Sequence, residues 1–328
     1  MIEISTLTLN VYVPIYFNPS VSRENMDKRV GFFAEQILHL SYLNLRRIKI
    51  NVYTNDESRI PQGIWDPLLA MPNESSFRII ECAKNELVNE DGCYEPQLLT
   101  WVHKEDLKQD IREGESDSIY LYLEDDALFT QANLDYFRHY RPVLKKVGLI
   151  PSFLRAEWSS NLGLWIDSDA FERIEFQRFF EIDEASGFLF HQPTNPYCAL
   201  ILLDQELALE YLDSDSFDRN RRKGRDGLIW DTAASSALGL IYENFPKSYV
   251  HRIAVPINPK NDLPISGSIV RHQGNRYANE IWWRHFRLFD GKLKPQLPIP
   301  RRSLIQKIIR AKFEYRNIVK KYFRNRQT

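Results

Sequence analysis

Three consecutive carboxylates, Glu124-Asp125-Asp126, follow directly on the apolar, aromatic run Ser118-Ile119-Tyr120-Leu121-Tyr122-Leu123 and lead into Ala127-Leu128-Phe129-Thr130. Such a run reads as a buried strand that delivers acids to one point. Adjacent carboxylates repel one another, and holding them near an apolar core is costly unless a cation or hydrogen-bond donors compensate them. A divalent Mg²⁺ or Mn²⁺ carrying a phosphorylated ligand supplies that compensation. These ions take one or two protein carboxylates and leave their other positions to water and phosphate oxygens. For a bare acidic triplet the competing reading is a charged turn after an edge strand.

The elements that must position the triplet can be read from periodicity. Strands are predicted over residues 6–16, 47–53, 77–82 and 119–123, with helices over about 22–45 and 98–111 between them. Strands alternating with helices imply βαβ units and a mainly parallel sheet covered by helices on both faces. In such sheets ligands bind at the carboxyl ends of the strands. Pro14 to Tyr16, Thr54 to Asp56 and Glu124 to Asp126 lie at three such ends. Further along, strands are predicted over 188–191 and 197–204, the second leading into a helix to about 212. A basic loop over 219–225 precedes a predicted helix over 226–240, and another strand is predicted over 248–255. Ser268 to Tyr277 reads as a strand running into a polar, glycine-containing loop.

With 328 residues, 43% of them hydrophobic and 13% aromatic, the chain can bury a large core. The formal net charge of −1 hides a split: residues 301–328 hold ten Lys or Arg against Glu314 alone. A mildly acidic body argues against a nucleic-acid groove there and points to the basic tail as the electrostatic contact. Cys82, Cys93 and Cys198 form no metal-type spacing, so a reduced, cytoplasmic chain is expected. No uncharged apolar run reaches spanning length, and the N-terminal segment lacks the basic start and cleavage site of a signal peptide. Any membrane contact is expected to be peripheral, on the cytosolic face. Phosphate loops of the G-x-x-x-x-G-K-[ST] type, dinucleotide fingerprints, nucleophile elbows and H-E-x-x-H zinc motifs are absent.

The order of these features resembles GT-A-fold, metal-dependent glycosyltransferases: a nucleotide-binding α/β half, an acidic D-x-D-type motif after a buried strand, a later acidic helix start, and a histidine near the end of the catalytic domain. The resemblance covers the body to about Asp290 by motif order. It implies a doubly wound α/β domain over 1–293, with its nucleotide-binding part at about 1–130 and its acceptor side at about 131–293. By this resemblance Asp126 ligates the metal with His272, and Glu124 or Asp125 contacts the ribose or the sugar. Gly224-Arg225-Asp226-Gly227-Leu228-Ile229-Trp230-Asp231 resembles the region that presents an acid to the acceptor, making Asp226 and Asp231 candidate bases. An aspartate at that point equally suits a helix cap, and a lone histidine is commonly structural.

Arg225, Arg271 and Arg276 are candidates for the diphosphate, since guanidinium binds phosphate bidentately. Pro14, Tyr16 and Asp56, at the first two strand ends, are candidates for the nucleotide base and ribose, or are plain turn residues. Phe153 to Trp158 and Asn195 to Tyr197 either shape sugar pockets or serve packing. The expected reaction is transfer of a sugar from a nucleotide-diphosphate sugar to a glycan or glycolipid acceptor, dependent on Mn²⁺ or Mg²⁺. The rivals are a sugar-phosphate nucleotidyltransferase and a non-catalytic membrane- or partner-binding module.

Lys294-Pro295-Gln296-Leu297-Pro298-Ile299-Pro300 is a proline-rich break, hence the expected linker over 294–300. Beyond it, Leu304, Ile305, Ile308, Ala311, Tyr315, Ile318, Val319, Tyr322 and Phe323 fall on one helical face, with Lys307, Arg310, Arg316, Lys320, Lys321 and Arg324 off it. A basic amphipathic helix of this kind suits an anionic membrane surface. Docking on the body or on a partner is the competing use.

Overall fold

The computed structural model describes residues 6–71, 73–160, 164–167, 179–180, 189–193, 196–220, 230–247, 249–258, 260 and 263–274. The chain divides into two units, Met1–Leu293 and Lys294–Thr328, and every described residue belongs to the first. The predicted linker, the amphipathic tail, Asp226, Arg225 and Arg276 lie outside the described residues.

The first half runs β1 (Thr8–Ile15), α1 (Arg23–Ser41), β2 (Arg47–Thr54), α2 (Asp66–Leu69), β3 (Glu74–Glu81), α3 (Leu99–Val102), α4 (Lys104–Glu113) and β4 (Ser118–Leu123). The second runs β5 (Ala127–Leu128), α5 (Gln131–Lys145), β6 (Ile150–Pro151), β7 (Leu154–Ser159), β8 (Leu164–Asp167), β9 (Phe179–Phe180), β10 (Leu189–His191), β11 (Leu200–Asp204), α6 (Gln205–Leu212), α7 (Thr232–Ser236), β12 (Ile253–Asn258), β13 (Leu263–Pro264) and β14 (Ile269–His272). The central sheet has the order β11-β4-β1-β2-β3 and is parallel except for β11, which pairs antiparallel with β4. A mixed α/β fold with a mostly parallel, helix-flanked sheet is thus observed, compatible with a Rossmann-like arrangement.

The two faces of this sheet differ because its strands alternate. Val11, Ile50 and Phe77 share one face, where Phe77 stacks on Trp65 at 4.2 Å and Trp65 meets Phe33 of α1 edge-on. Tyr12, Lys49 and Tyr53 lie on the other face and end on the carboxylates of α4. Tyr12 Oη and Lys49 Nζ donate to Asp110 at 2.7 and 2.6 Å, and Tyr53 Oη donates to Asp106. Amphipathic side chains with apolar bodies and polar tips can line a buried sheet only when such acceptors stand opposite them.

Local departures from the predicted elements have physical causes. Ser22 caps α1 by accepting from Asn25 N, and the helix ends at Ser41 rather than continuing to 45. The single helix expected over 98–111 is a 3₁₀ turn at Pro96–Leu98 followed by α3 and α4, interrupted at His103, whose ring packs 4.6 Å from Tyr122 and also against Tyr12 and Tyr53. The strand expected over 248–255 lies at Ile253–Asn258. Among the described residues no helix is long and apolar enough to cross a membrane.

A smaller sheet of order β5-β14-β7-β8 carries the end of the described chain back to the triplet. Its anchor is the start of α5, where Asn133 Nδ2 donates to the carbonyls of Gly267 and Ile269 at 2.9 and 2.7 Å. Gly267 sits so close to α5 that an added Cβ would stand 2.6 Å from the Ala132 carbonyl oxygen and 2.7 Å from Tyr136 Cβ. Gly267→Ala is therefore expected to destabilise the protein by about 2 kcal/mol through overpacking. Chemical denaturation would check this, and an unchanged midpoint would refute the close approach.

Candidate functional site

The triplet stands where the sheet changes direction. In the order β3-β2-β1-β4 the chain after β1 turns toward β2 and the chain after β4 turns the other way, which opens a crevice at the carboxyl ends of the two strands. Proline supports the opening: β1 pairs with β4 only as far as Tyr12 opposite Tyr122, and Pro14, which has no N–H to donate, lies just beyond. Pro14 pairs in register with Tyr53 and is buried, so it shapes the crevice from within the sheet.

Backbone groups of the triplet are tied down by neighbours. Glu124 N donates to the Ala199 carbonyl at 3.1 Å, and Ala127 N closes a turn onto the Glu124 carbonyl. Gln36 of α1 donates its side-chain amide to the carbonyls of Glu124 and Ala127 at 2.9 and 2.7 Å. Ala199, fully buried, holds this contact with a φ of 61°, a left-handed conformation that costs a non-glycine residue about 1–2 kcal/mol. Strain is retained here next to three converging acids, the kind of place where it accompanies function.

Each carboxylate has a separate partner. Asp125, 2% exposed, is gripped by the guanidinium fork of Arg29 on α1, with Nε donating to one oxygen and Nη2 to the other at 2.6 Å. Burial pushes the Asp125 carboxyl up, and the Arg29 charge opposes that rise. Asp126 Oδ2 meets His272 Nε2 at 2.9 Å, and His272 Nδ1 meets Glu157 Oε1. Burial opposes ionisation of Asp126, but the hydrogen bond and charge of His272 outweigh it and hold the carboxyl below the usual range. For His272, burial works against the proton, yet the bonds to Asp126 and Glu157 prevail and raise the imidazole to about 9. Glu124 accepts from Tyr197 Oη and lies 3.9 Å from Arg155 Nη1, which sits over the Tyr197 ring. Burial raises the Glu124 carboxyl to about 7 despite the Arg155 charge.

Strand register explains the convergence. In β5-β14-β7 His272 is level with Ala127, and the parallel pairing of Ile269 with Leu154 and Arg271 with Ala156 brings His272 beside Glu157. Arg155 and Glu157, two apart on β7, share a face, as do Val270 and His272 on β14. A one-residue slip would turn all of these side chains away.

No protein-family profile matches the chain, and no curated protein matches it. Among solved structures it is similar to the crystal structure of HddC from Yersinia pseudotuberculosis, at 12% identity and a TM-score of 0.31, over 76% of this chain and 92% of that one. A likeness of that extent carries no argument about activity.

The remaining sequence-derived candidates fall in different places. Tyr16, half-buried, shares a 3.2 Å hydrogen bond with Tyr94 Oη beyond the end of β1. Asp56 follows β2 and is occupied by its own turn, accepting from Ser58 Oγ at 2.6 Å and Arg59 Nε at 3.1 Å. Arg271 does not join the triplet: it alternates with His272 on β14, is 44% exposed and reaches Glu35 of α1 at 3.4 Å. Asp231 caps α7, accepting from Ala234 N at 2.7 Å, which is the structural use that an aspartate at a helix start permits. Arg29 is the residue that sequence reasoning missed altogether, since on an amphipathic helix it looks like any solvated charge. Arg155 and Glu157 carried a signal in the alternation Leu154-Arg155-Ala156-Glu157-Trp158, where charges occupy one face of a strand whose other face is apolar.

Among the described residues no group of three or more His, Cys, Asp or Glu side chains is disposed to hold a metal ion. The pair Asp126 and His272 nevertheless suits one edge of a coordination shell. Two donors at roughly 2.1 Å from an octahedral ion and at right angles stand about 3 Å apart, and His272 Nε2 and Asp126 Oδ2 are 2.9 Å apart. A carboxylate with an imidazole is a donor set for Mn²⁺ more than for Mg²⁺.

Proposed function

We propose that this protein is a GT-A-like glycosyltransferase that moves a sugar from a nucleotide-diphosphate sugar to a glycan or glycolipid acceptor with the help of Mn²⁺ or Mg²⁺. The observation that carries the reading is the meeting of Asp126 and His272, 146 positions apart in the chain, at the crevice where β1 and β4 diverge. In this reading Asp126 and His272 hold the cation, whose bound charge would neutralise the departing diphosphate. Arg29 fixes Asp125, and Tyr197 with Arg155 fixes Glu124, so both acids present their remaining oxygen lone pairs to ribose or sugar hydroxyls. Tyr16 and Asp56, just past the carboxyl ends of β1 and β2, stay the candidate nucleotide contacts. The low exposure of Asp125, Asp126 and His272 excludes bulk water from the reacting centre and strengthens charge interactions there. Asp226 stays the candidate base of an inverting reaction, while Asp231 is assigned to capping. The basic amphipathic tail would bring the enzyme to an anionic membrane bearing the acceptor.

The test is a thermal-shift screen of nucleoside diphosphates and nucleotide sugars, with and without Mn²⁺, on wild type and Asp126→Ala. Stabilisation is expected only with metal and nucleotide together; at a hundredfold excess over Kd it amounts to about 2.7 kcal/mol. Asp126→Ala should abolish it. A response to a nucleoside triphosphate with a sugar phosphate would instead name a nucleotidyltransferase, and silence with every ligand would leave a non-catalytic binding module.

A further inference from the structure

We infer that Glu157 is a positioning residue, holding the His272 ring so that its Nε2 lone pair faces a divalent cation shared with Asp126. This rests on the metal-dependent reading above and adds to it a residue that neither touches the cation nor reaches the substrate.

Geometry assigns the two ring nitrogens different tasks. Glu157 is 0% exposed in its side chain, whereas Asp126 retains 9% and its neighbour Glu124 retains 20%. Among the described residues, the more exposed approach for a hydrated or phosphate-bearing cation is therefore on the Asp126 side. Glu157 Oε1 accepts from His272 Nδ1, and a neutral imidazole that carries its proton on Nδ1 offers a lone pair at Nε2. A carboxylate behind a histidine fixes both ring orientation and tautomer, and it raises the basicity of the ligating nitrogen. Sheet architecture keeps the arrangement rigid, because Glu157 and His272 are lateral neighbours on paired parallel strands rather than residues on loops. Burying a carboxylate this deeply is costly, and the hydrogen bond to Nδ1 compensates part of that cost.

The experiment compares wild type, Glu157→Gln and Glu157→Leu as full chains, counting free Mn²⁺ by electron paramagnetic resonance during titration. Glutamine keeps an oxygen acceptor for Nδ1–H and is expected to bind within about threefold of wild type, whereas leucine should weaken Mn²⁺ binding roughly 10- to 100-fold. A second readout is the His272 tautomer of the neutral ring in the metal-free protein, from long-range ¹⁵N–¹H spectra: wild type and Glu157→Gln should carry the proton on Nδ1. Equal Mn²⁺ affinity in wild type and Glu157→Leu overturns this inference alone. If Glu157→Leu does not fold, a proton on Nε2 in wild type overturns it instead. A wild type that binds no Mn²⁺ overturns both this inference and the metal-dependent reading beneath it.

Discussion

Replacing Arg29 by alanine is expected to destabilise the protein by about 3 kcal/mol at neutral pH. The substitution leaves Asp125 buried without the guanidinium that holds both of its oxygens, beside Glu124 and Asp126. Removing one partner of a buried ion pair typically costs about 3–5 kcal/mol; the low end applies because the Arg29 side chain is 35% exposed and water can partly replace it. The sign of the pH dependence follows from burial. Asp125 already titrates above its ordinary value in the fold, and loss of Arg29 raises it further. The folded state then binds more protons than the unfolded state between the ordinary and the raised value, so stability falls as pH rises through that window. The deficit of Arg29→Ala should thus be smallest near pH 4 and grow toward pH 7 in urea denaturation. Adding Asp125→Asn should recover much of the loss, since the stranded charge is gone. Equal deficits at both pH values would mean that the fork contributes packing rather than charge compensation.

The second large effect runs the other way. Lys104, 6% exposed at the start of α4, donates to Tyr211 Oη and stands over the rings of Trp101, Tyr211 and Phe217 at 5.2, 4.4 and 5.4 Å. Burial lowers its ammonium from the usual 10.5 to about 7. Between about pH 7 and 10.5 the unfolded chain keeps a proton that the folded one has released, so stability rises with pH across that interval. Below pH 7 the full penalty applies, on the order of 5 kcal/mol. Lys104→Met keeps the stem and removes the charge; the Tyr211 hydroxyl left behind costs about 1–2 kcal/mol. The variant is expected to be more stable than wild type by about 3–4 kcal/mol at pH 6 and to lose that advantage as pH approaches 10. Parallel stability curves for the two proteins would rule out a buried, readily neutralised lysine.

How far the site was legible depends on the distance over which each residue's role is set. The strand before the triplet and the strand at His272 carry their own apolar patterns and turn signals, so their extents and their placement at strand ends were readable. The start of α1 near Ser22 and the helix that ends at Leu212 were readable for the same local reason. Arg29 was not, because its role depends on α1 lying over the end of β4, a fact of packing with no trace in the helix's own sequence. Glu157 was half-legible: alternation marks it as facing the same way as Arg155, but only the pairing of β7 with β14 says what stands there. The antiparallel return of β11, which brings Tyr197 and Ala199 over the triplet, is likewise a matter of strand order that periodicity does not encode. Helix 98–111 misled because its apolar spacing is continuous, while the ring of His103, set among three tyrosines, interrupts it.

The imidazole that joins Asp126 and Glu157 arrives late. It closes on Asp126 across 146 positions and on Glu157 across 115, and loop closures of that length are slow steps in forming a native topology. During synthesis the parallel strands β1 to β4 can assemble while the chain that will supply β14 is still unmade. Until then Asp126 and Glu157 have no imidazole between them, and the small sheet lacks the strand that joins β5 to β7. The contacts of His272 thus form after the parallel strands can pair, so an immature chain leaves Asp126 and Glu157 without their shared imidazole.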